Sequence, residues 1–122
     1  MLSDFYQGFV KLHILHHATL EPVYGLALIA ELRRHGYQIG PGTLYPMLHQ
    51  LEAAGFLARD DRVVNGRVRK YYAATAQGRA ALSEARAKIT ELVNEVVEGK
   101  GPEHLPEVDD DAEENSPDAP SE

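Results

Sequence analysis

The sequence predicts a mostly helical α+β fold in which three short helices lead into one β-hairpin and a long closing helix. Apolar residues recur at helical spacing over residues 4–20, 22–35 and 43–54. The dipeptide Asn65-Gly66 then separates two β-prone runs, a strong short-range hairpin signal. Finally, Leu82, Ala85, Ile89, Leu92 and Val96 follow at intervals of 3, 4, 3 and 4 residues, the seam of a heptad repeat. Residues 1–99 are expected to form one domain and residues 100–122 an acidic, disordered tail.

In the first helix, residues 4–20, Phe5, Phe9, Val10, Leu12, Ile14, Leu15 and Leu20 spread over most of the circumference. A helix lying on a single core needs one apolar stripe. This one is expected to face two partners, its own domain and a second subunit. The second helix, residues 22–35, starts with Pro22 in its first turn, where a missing N–H costs nothing. Val23, Leu26, Ile29 and Ala30 repeat along it, and Gly36 stops it. Gly40-Pro41-Gly42 reads as a turn. The third helix, residues 43–54, turns Leu44, Met47, Leu48 and Leu51 inward and tolerates Pro46 if that residue sits in its first turn. Gly55 ends it. The period then drops to two through Phe56-Leu57-Ala58 and Val63-Val64, across Asn65-Gly66, and on to Thr75. Thr75 is placed to cap the last helix, residues 76–98, and Gly99 closes it. At about 1.5 Å per residue that helix is roughly 35 Å long, too long for a small domain to cover and an argument for dimerisation.

Composition narrows the function. The 122 residues include no Cys and no Trp, which removes disulfides, thiolate chemistry and Cys-based zinc sites. No basic-then-apolar N-terminal run and no membrane-length apolar stretch occur, so a cytoplasmic protein is expected. The net charge of −7 hides an uneven distribution. Residues 101–122 carry nine acids and no Lys or Arg, whereas residues 59–88 carry eight bases against three acids. Local fields, not the total, decide what binds. No G-x-S-x-G, P-loop or G-x-G-x-x-G is present, and the four serines (Ser3, Ser83, Ser116 and Ser121) stand in no recognisable frame with a His, so no enzyme is expected.

Helix, helix, helix and hairpin in that order make a winged helix-turn-helix. Its third helix enters the major groove and its wing meets the DNA backbone. Thr43, Tyr45, His49 and Gln50 are left facing outward on the third helix, with hydroxyl, imidazole and amide groups able to bond phosphates or base edges. Arg67, Arg69 and Lys70 follow the hairpin turn, with Arg62 on the opposing strand, and suit a phosphate backbone.

The run Gly42-Thr43-Leu44-Tyr45-Pro46-Met47-Leu48-His49-Gln50-Leu51-Glu52-Ala53-Ala54-Gly55-Phe56-Leu57 closely resembles the G-T-L-Y-P-x-L-x-x-L-E-x-x-G-x-L signature of PadR-family transcriptional regulators. Gly66-Arg67-Val68-Arg69-Lys70-Tyr71-Tyr72, then Thr75-Ala76-Gln77-Gly78-Arg79, is similar to that family's wing and the start of its last helix. Tyr24-Gly25 matches the family's Tyr-Gly near helix two and adds Tyr24 to the DNA-binding candidates. The resemblance covers about residues 5–98 and is closest to the smaller subfamily without a C-terminal domain. It implies a homodimeric repressor of transcription, often of efflux or detoxification genes, held together by its first and last helices. The expected dimer contacts are therefore Phe5, Phe9, Leu82, Ala85, Ile89, Leu92 and Val96. Gly66-Arg67-Val68 stands where the family commonly has Gly-Arg-Pro, and no Trp is available to stack on planar drugs.

No cofactor is expected, and a small-molecule or metal effector is left open. His13 and His17 are one helical turn apart, the spacing at which two imidazoles share a metal ion. With His16 they fall in the apolar sector, near the expected dimer interface, where hydrogen-bonded histidines and a pH-responsive contact are the competing readings. The expected partners are double-stranded operator DNA and a second copy of the chain, with no membrane. The rival function is a winged-helix module for protein interaction. A salt series separates the two, because only the DNA complex weakens steeply with salt.

Overall fold

The computed structural model of the chain describes residues 3–109. The elements run α1 (Asp4–Leu20), β1 (Val23–Tyr24), α2 (Gly25–Arg34), α3 (Pro41–Ala53), β2 (Leu57–Val64), β3 (Arg67–Ala74) and α4 (Ala76–Leu92), followed by a π-helical turn at Val93–Val97. The strands form one antiparallel sheet in the order β1-β3-β2. This is the α+β architecture, mostly α, that the sequence predicts. Packing divides the chain between Thr90 and Glu91. The first unit holds the sheet and the buried core. The second holds the last residues of α4, the π turn and a stretch without helix or strand through residue 109. The expected disordered tail falls largely on residues 110–122, outside the described residues.

Val10, Ile14, Leu32, Leu44, Leu48 and Tyr72 are the large side chains most completely shut from solvent. From α1, Val10, Ile14, Leu15 and Ala18 point inward, while Phe5, Tyr6, Phe9 and Leu20 stay exposed. The all-round apolar character of this helix thus resolves into one buried stripe and one bare face.

Three expectations need correction. The second helix begins at Gly25, not at Pro22. Val23 and Tyr24 instead pair with Tyr72 and Tyr71 of β3. β-branched and aromatic residues suit a strand, and the ladder to β3 outweighs their helical spacing. The third helix begins at Pro41, so Gly40-Pro41-Gly42 is a helix start and not a turn. Pro41 takes the first helical position, and the Gly40 carbonyl accepts the Thr43 and Leu44 N–H groups at 3.2 and 3.0 Å. Pro46 consequently lies past the first turn, where it removes the N–H that would have bonded the Gly42 carbonyl. It is exposed, and the helix continues through it. Last, the final helix runs nearly as far as expected, to Val97, but is α-helical only through Leu92. In the π turn the Glu98 N–H reaches back five residues to the Val93 carbonyl at 3.0 Å, which breaks the heptad phase between Leu92 and Val96.

α2 and α3 end by the same device. The Tyr37 N–H bonds the Leu32 carbonyl and the Gly36 N–H the Arg33 carbonyl, while Phe56 bonds Leu51 and Gly55 bonds Glu52 in the same way. Gly36 and Gly55 occupy the left-handed conformation this Schellman stop requires, at φ 91° and 85°. The hairpin turn behaves as expected too. Asn65 and Gly66 both have positive φ, 53° and 78°, as a type I′ turn demands. Thr75 caps α4: its Oγ1 accepts the Gly78 N–H at 3.0 Å and donates to the Gly55 carbonyl at 2.6 Å. This joins the end of α3 to the start of α4. At Gly78 the helix passes so close to the Phe56 carbonyl that a Cβ would overlap it.

Candidate nucleic-acid interface

α3 presents two kinds of outward residue. His49 and Gln50 are exposed beside Pro46, on the side opposite Leu44, Leu48 and Leu51. Thr43 and Tyr45 are half-buried at the margins of that side. Tyr45 is seated against Gly25, where a Cβ would collide with its ring and hydroxyl. The first residue of α2 is thus the surface on which a candidate DNA-contacting tyrosine rests.

Register divides the wing into two faces. Tyr72 and Leu57 lie on the core face, 0% and 2% exposed. The other face carries Arg62 opposite Arg69, Val64 opposite Arg67, and Tyr71 flanked by Asp60 and Tyr24. Together with α2 and α3 this face lines a cleft that includes Tyr24, Gly25, Tyr45, Val64, Arg67 and Arg69. Lys70 alternates to the opposite side of the strand, in register with Asp61, yet also borders the cleft. All nine DNA-binding candidates therefore belong to α3, the wing or the β1 residue beside it.

The cations of the wing differ in how they are balanced. Arg59 pairs with Asp61 at 3.3 Å and Arg62 with Asp60 at 3.0 Å. Arg67, Arg69 and Lys70 have no carboxylate partner among the described residues. Arg69 lies over the Tyr24 ring, 4.1 Å from its centroid, and donates from Nη1 to the Tyr71 hydroxyl at 3.3 Å. That bond raises the guanidinium pKa further above its ordinary value. Arg62 lies over the Tyr71 ring at 4.5 Å, and the two tyrosine rings meet edge to face at 5.5 Å. Sequence reading missed β1 and hence this stack. The signal was the alternation itself, which puts Arg69 and Tyr71 on one side of β3.

The helix faces expected to meet a second subunit are only partly open. Phe5 and Phe9 are 78% and 44% exposed. Ile89 is exposed in the first unit, as are Leu92 and Val96 in the second, and Ala85 is intermediate. Leu82 is corrected. It is 4% exposed and lies in the core of its own domain. A 3-4-3-4 spacing serves a core stripe as well as a coiled-coil seam, and the first turns of α4 use it for the former.

His13 and His17 lie against α2 of their own chain. His13 stacks on His35 at 4.9 Å and meets Tyr37 edge-on at 5.7 Å. His17 Nε2 lies 3.5 Å from Glu31 Oε2. The same carboxylate accepts two bonds from Arg34, both at 2.8 Å, and contacts His35 Nε2 at 3.0 Å. The Arg34 bonds hold Glu31 down at about 2. Burial, then the neighbouring His35, His17 and His16, lower the His13 pKa. The two imidazoles thus turn to different partners. No group of three His, Asp or Glu side chains suited to a metal ion occurs among the described residues. Nor is any helix among them long and apolar enough to cross a membrane.

Comparison with known proteins gives this geometry its context. Residues 14–84 match the family described as Transcriptional regulator PadR-like family. Transcriptional regulator Rv3488 of Mycobacterium tuberculosis is 52% identical over 99 residues, covering 81% of this chain and 92% of the relative. Among solved structures, a PadR-family transcriptional regulator from Eggerthella lenta superposes with a TM-score of 0.69 at 34% identity, over 78% of this chain and 84% of that one. A PadR-like transcription factor from Bacteroides fragilis does so with a TM-score of 0.68 at 31% identity, over 79% and 93%. These relatives are regulators, not enzymes. The family match spans the helix-turn-helix, the wing and the start of the last helix, and the chain belongs to the PadR-like family of transcriptional regulators.

Proposed function

We propose that this regulator is a homodimeric repressor that binds a pseudo-palindromic operator. One observation carries the reading: Arg67, Arg69 and Lys70, without carboxylate partners among the described residues, stand on a wing that shares a cleft with Tyr45 of α3. Three uncompensated cations on one hairpin repel each other in the free protein and are stabilised by phosphates. His49 and Gln50 read base edges from α3, with Thr43 and Tyr45 at its margins. Tyr24 lines the same cleft, and Arg62, opposite Arg69 on the neighbouring strand, adds to the backbone-facing side. Within the first unit, the exposed Phe5 and Phe9 of α1 and Ile89 of α4, with the half-buried Ala85, supply the dimer contact. Two copies then place their α3 helices about 34 Å apart, one turn of duplex, in successive major grooves. Any effector that binds between the subunits would act by changing that spacing.

The test is a mobility-shift series on DNA upstream of the protein's own gene, run against increasing salt. A steep linear fall of log affinity with log salt supports the reading. Arg67→Ala and Lys70→Ala each flatten that slope by about 0.9 if each neutralises one phosphate. A complex indifferent to salt, or none in dilute buffer, overturns it in favour of a protein-interaction module.

A further inference from the structure

Arg62 and Arg69 are direct cross-strand neighbours, and like charges in that position repel. Each nevertheless has its own aromatic face, Tyr71 beneath Arg62 and Tyr24 beneath Arg69, with the two rings in edge contact. Each guanidinium also spends one donor on a fixed neighbour, Arg62 Nε on Asp60 and Arg69 Nη1 on the Tyr71 hydroxyl. A guanidinium stacked on a ring keeps its remaining edge donors available for a planar pair of phosphate oxygens. Stacking also removes side-chain rotamers before the ligand arrives.

We infer that Tyr24 and Tyr71 are positioning residues, a two-ring platform that holds Arg69 and Arg62 in the orientation that grips operator phosphates. Tyr24 then acts on DNA chiefly through Arg69. The inference rests on the wing-to-phosphate reading above and adds to it the device that orders the arginines. β1 brings Tyr24 alongside Tyr71, while its other residue, Val23, pairs with Tyr72 and packs against the core.

The test uses the full chain and a mixed-sequence duplex, because phosphate contacts carry no sequence information. Tyr24→Leu, Tyr24→Phe, Arg69→Ala and the double variant Tyr24→Leu/Arg69→Ala are titrated across a salt series. Circular dichroism melts check folding. Tyr24→Leu is expected to weaken binding about two- to fivefold, the size of an exposed cation–π contact, and to flatten the salt slope toward that of Arg69→Ala. Tyr24→Phe keeps the ring and restores both. The double variant binds no more weakly than Arg69→Ala alone. Without DNA, the Arg69 side-chain protons carry an upfield ring-current shift that Tyr24→Leu abolishes and Tyr24→Phe retains. Additive losses with an unchanged slope, or tighter binding by Tyr24→Leu, overturn the positioning role. So does an Arg69→Ala variant that binds like wild type, since nothing is then left to position. Failure of the wild type itself to bind duplex is a distinct result, one that removes the DNA reading as well.

Discussion

Replacing Gly78 by alanine sets two effects of known size against each other. Gly78 lies in the first turn of α4, where alanine is the better helix former by about 1 kcal/mol. On propensity alone the variant is more stable. The packing says otherwise. The added methyl overlaps the Phe56 carbonyl oxygen and meets its carbon at 3.0 Å and Leu15 Cδ1 at 3.2 Å. A backbone carbonyl cannot swing aside as a side-chain tip can, so α4 must lift. Overpacking of this kind costs about 1–3 kcal/mol. Lifting also stretches the Thr75 N–H bond to the Phe56 carbonyl, 3.1 Å, and the bond the Thr75 hydroxyl donates to the Gly55 carbonyl, 2.6 Å, adding about 1 kcal/mol. The net expectation is a loss of about 2 kcal/mol, on the order of 10 °C in melting temperature for a domain of this size. Urea denaturation at fixed protein concentration measures it. Gly42→Ala is the control. Gly42 is helical with nothing within 4 Å of its added methyl, and the change is expected to stabilise by about 0.5 kcal/mol. A Gly78→Ala protein as stable as wild type, or more so, refutes the close approach of α4 to Phe56.

Gly25→Ala drives a methyl into the end of the Tyr45 ring, which can rotate away; duplex affinity is expected to fall severalfold while the melting temperature changes little, and a large stability loss contradicts that reading. The Tyr72 hydroxyl is buried with no well-formed hydrogen bond among the described residues, and burial raises its pKa against a weaker opposing pull from Arg59, its cross-strand neighbour; Tyr72→Phe is expected to hold or raise stability by about 1 kcal/mol, and a clear loss in a thermal melt contradicts the assignment. The lowered His13 pKa makes the folded state resist a proton that the unfolded chain accepts once pH drops through 6.5. The unfolded state then binds more protons, so this contribution is complete above 6.5 and is lost as pH falls through the lower folded value. His13→Gln is expected to flatten the melting profile there, and an unchanged profile argues against the effect. Glu31, held at about 2, adds an acid-side loss as pH falls below its ordinary 4.5 toward that value. Removing residues 101–122 deletes nine acids and no Lys or Arg; binding to random duplex at low salt is expected to tighten, and equal affinity leaves the segment a solubilising one.

The elements legible in the sequence are those fixed by near neighbours. Asn65-Gly66 specifies its turn through two positive-φ residues, and Thr75 meets the first turn of α4 three residues on. Leu44, Met47, Leu48 and Leu51 mark the inner side of α3 unaided. What was hidden depends on distant pairing. Val23 and Tyr24 become a strand only because Tyr71 and Tyr72 supply its ladder, and local spacing read them as helix. Leu82 looked like the start of a dimer seam because a core stripe and a coiled coil share one period. The candidate site followed the same rule. The cations and the outward residues of α3 were visible as residue types, but the rings beneath Arg62 and Arg69, and the Glu31 carboxylate beside His17, come from other elements.

The paired boundaries of α3 have a consequence for how its specificity can change. Pro41 sets where the rod begins and the Gly55 stop sets where it finishes, so its angular phase is locked at either extremity. One residue inserted between Pro46 and His49 swings every later side chain by about 100°. Leu51 then leaves the interior as His49 and Gln50 leave the outward side. On the proposed reading, new operator preferences arise by exchanging side chains at His49 and Gln50 rather than by changes of length.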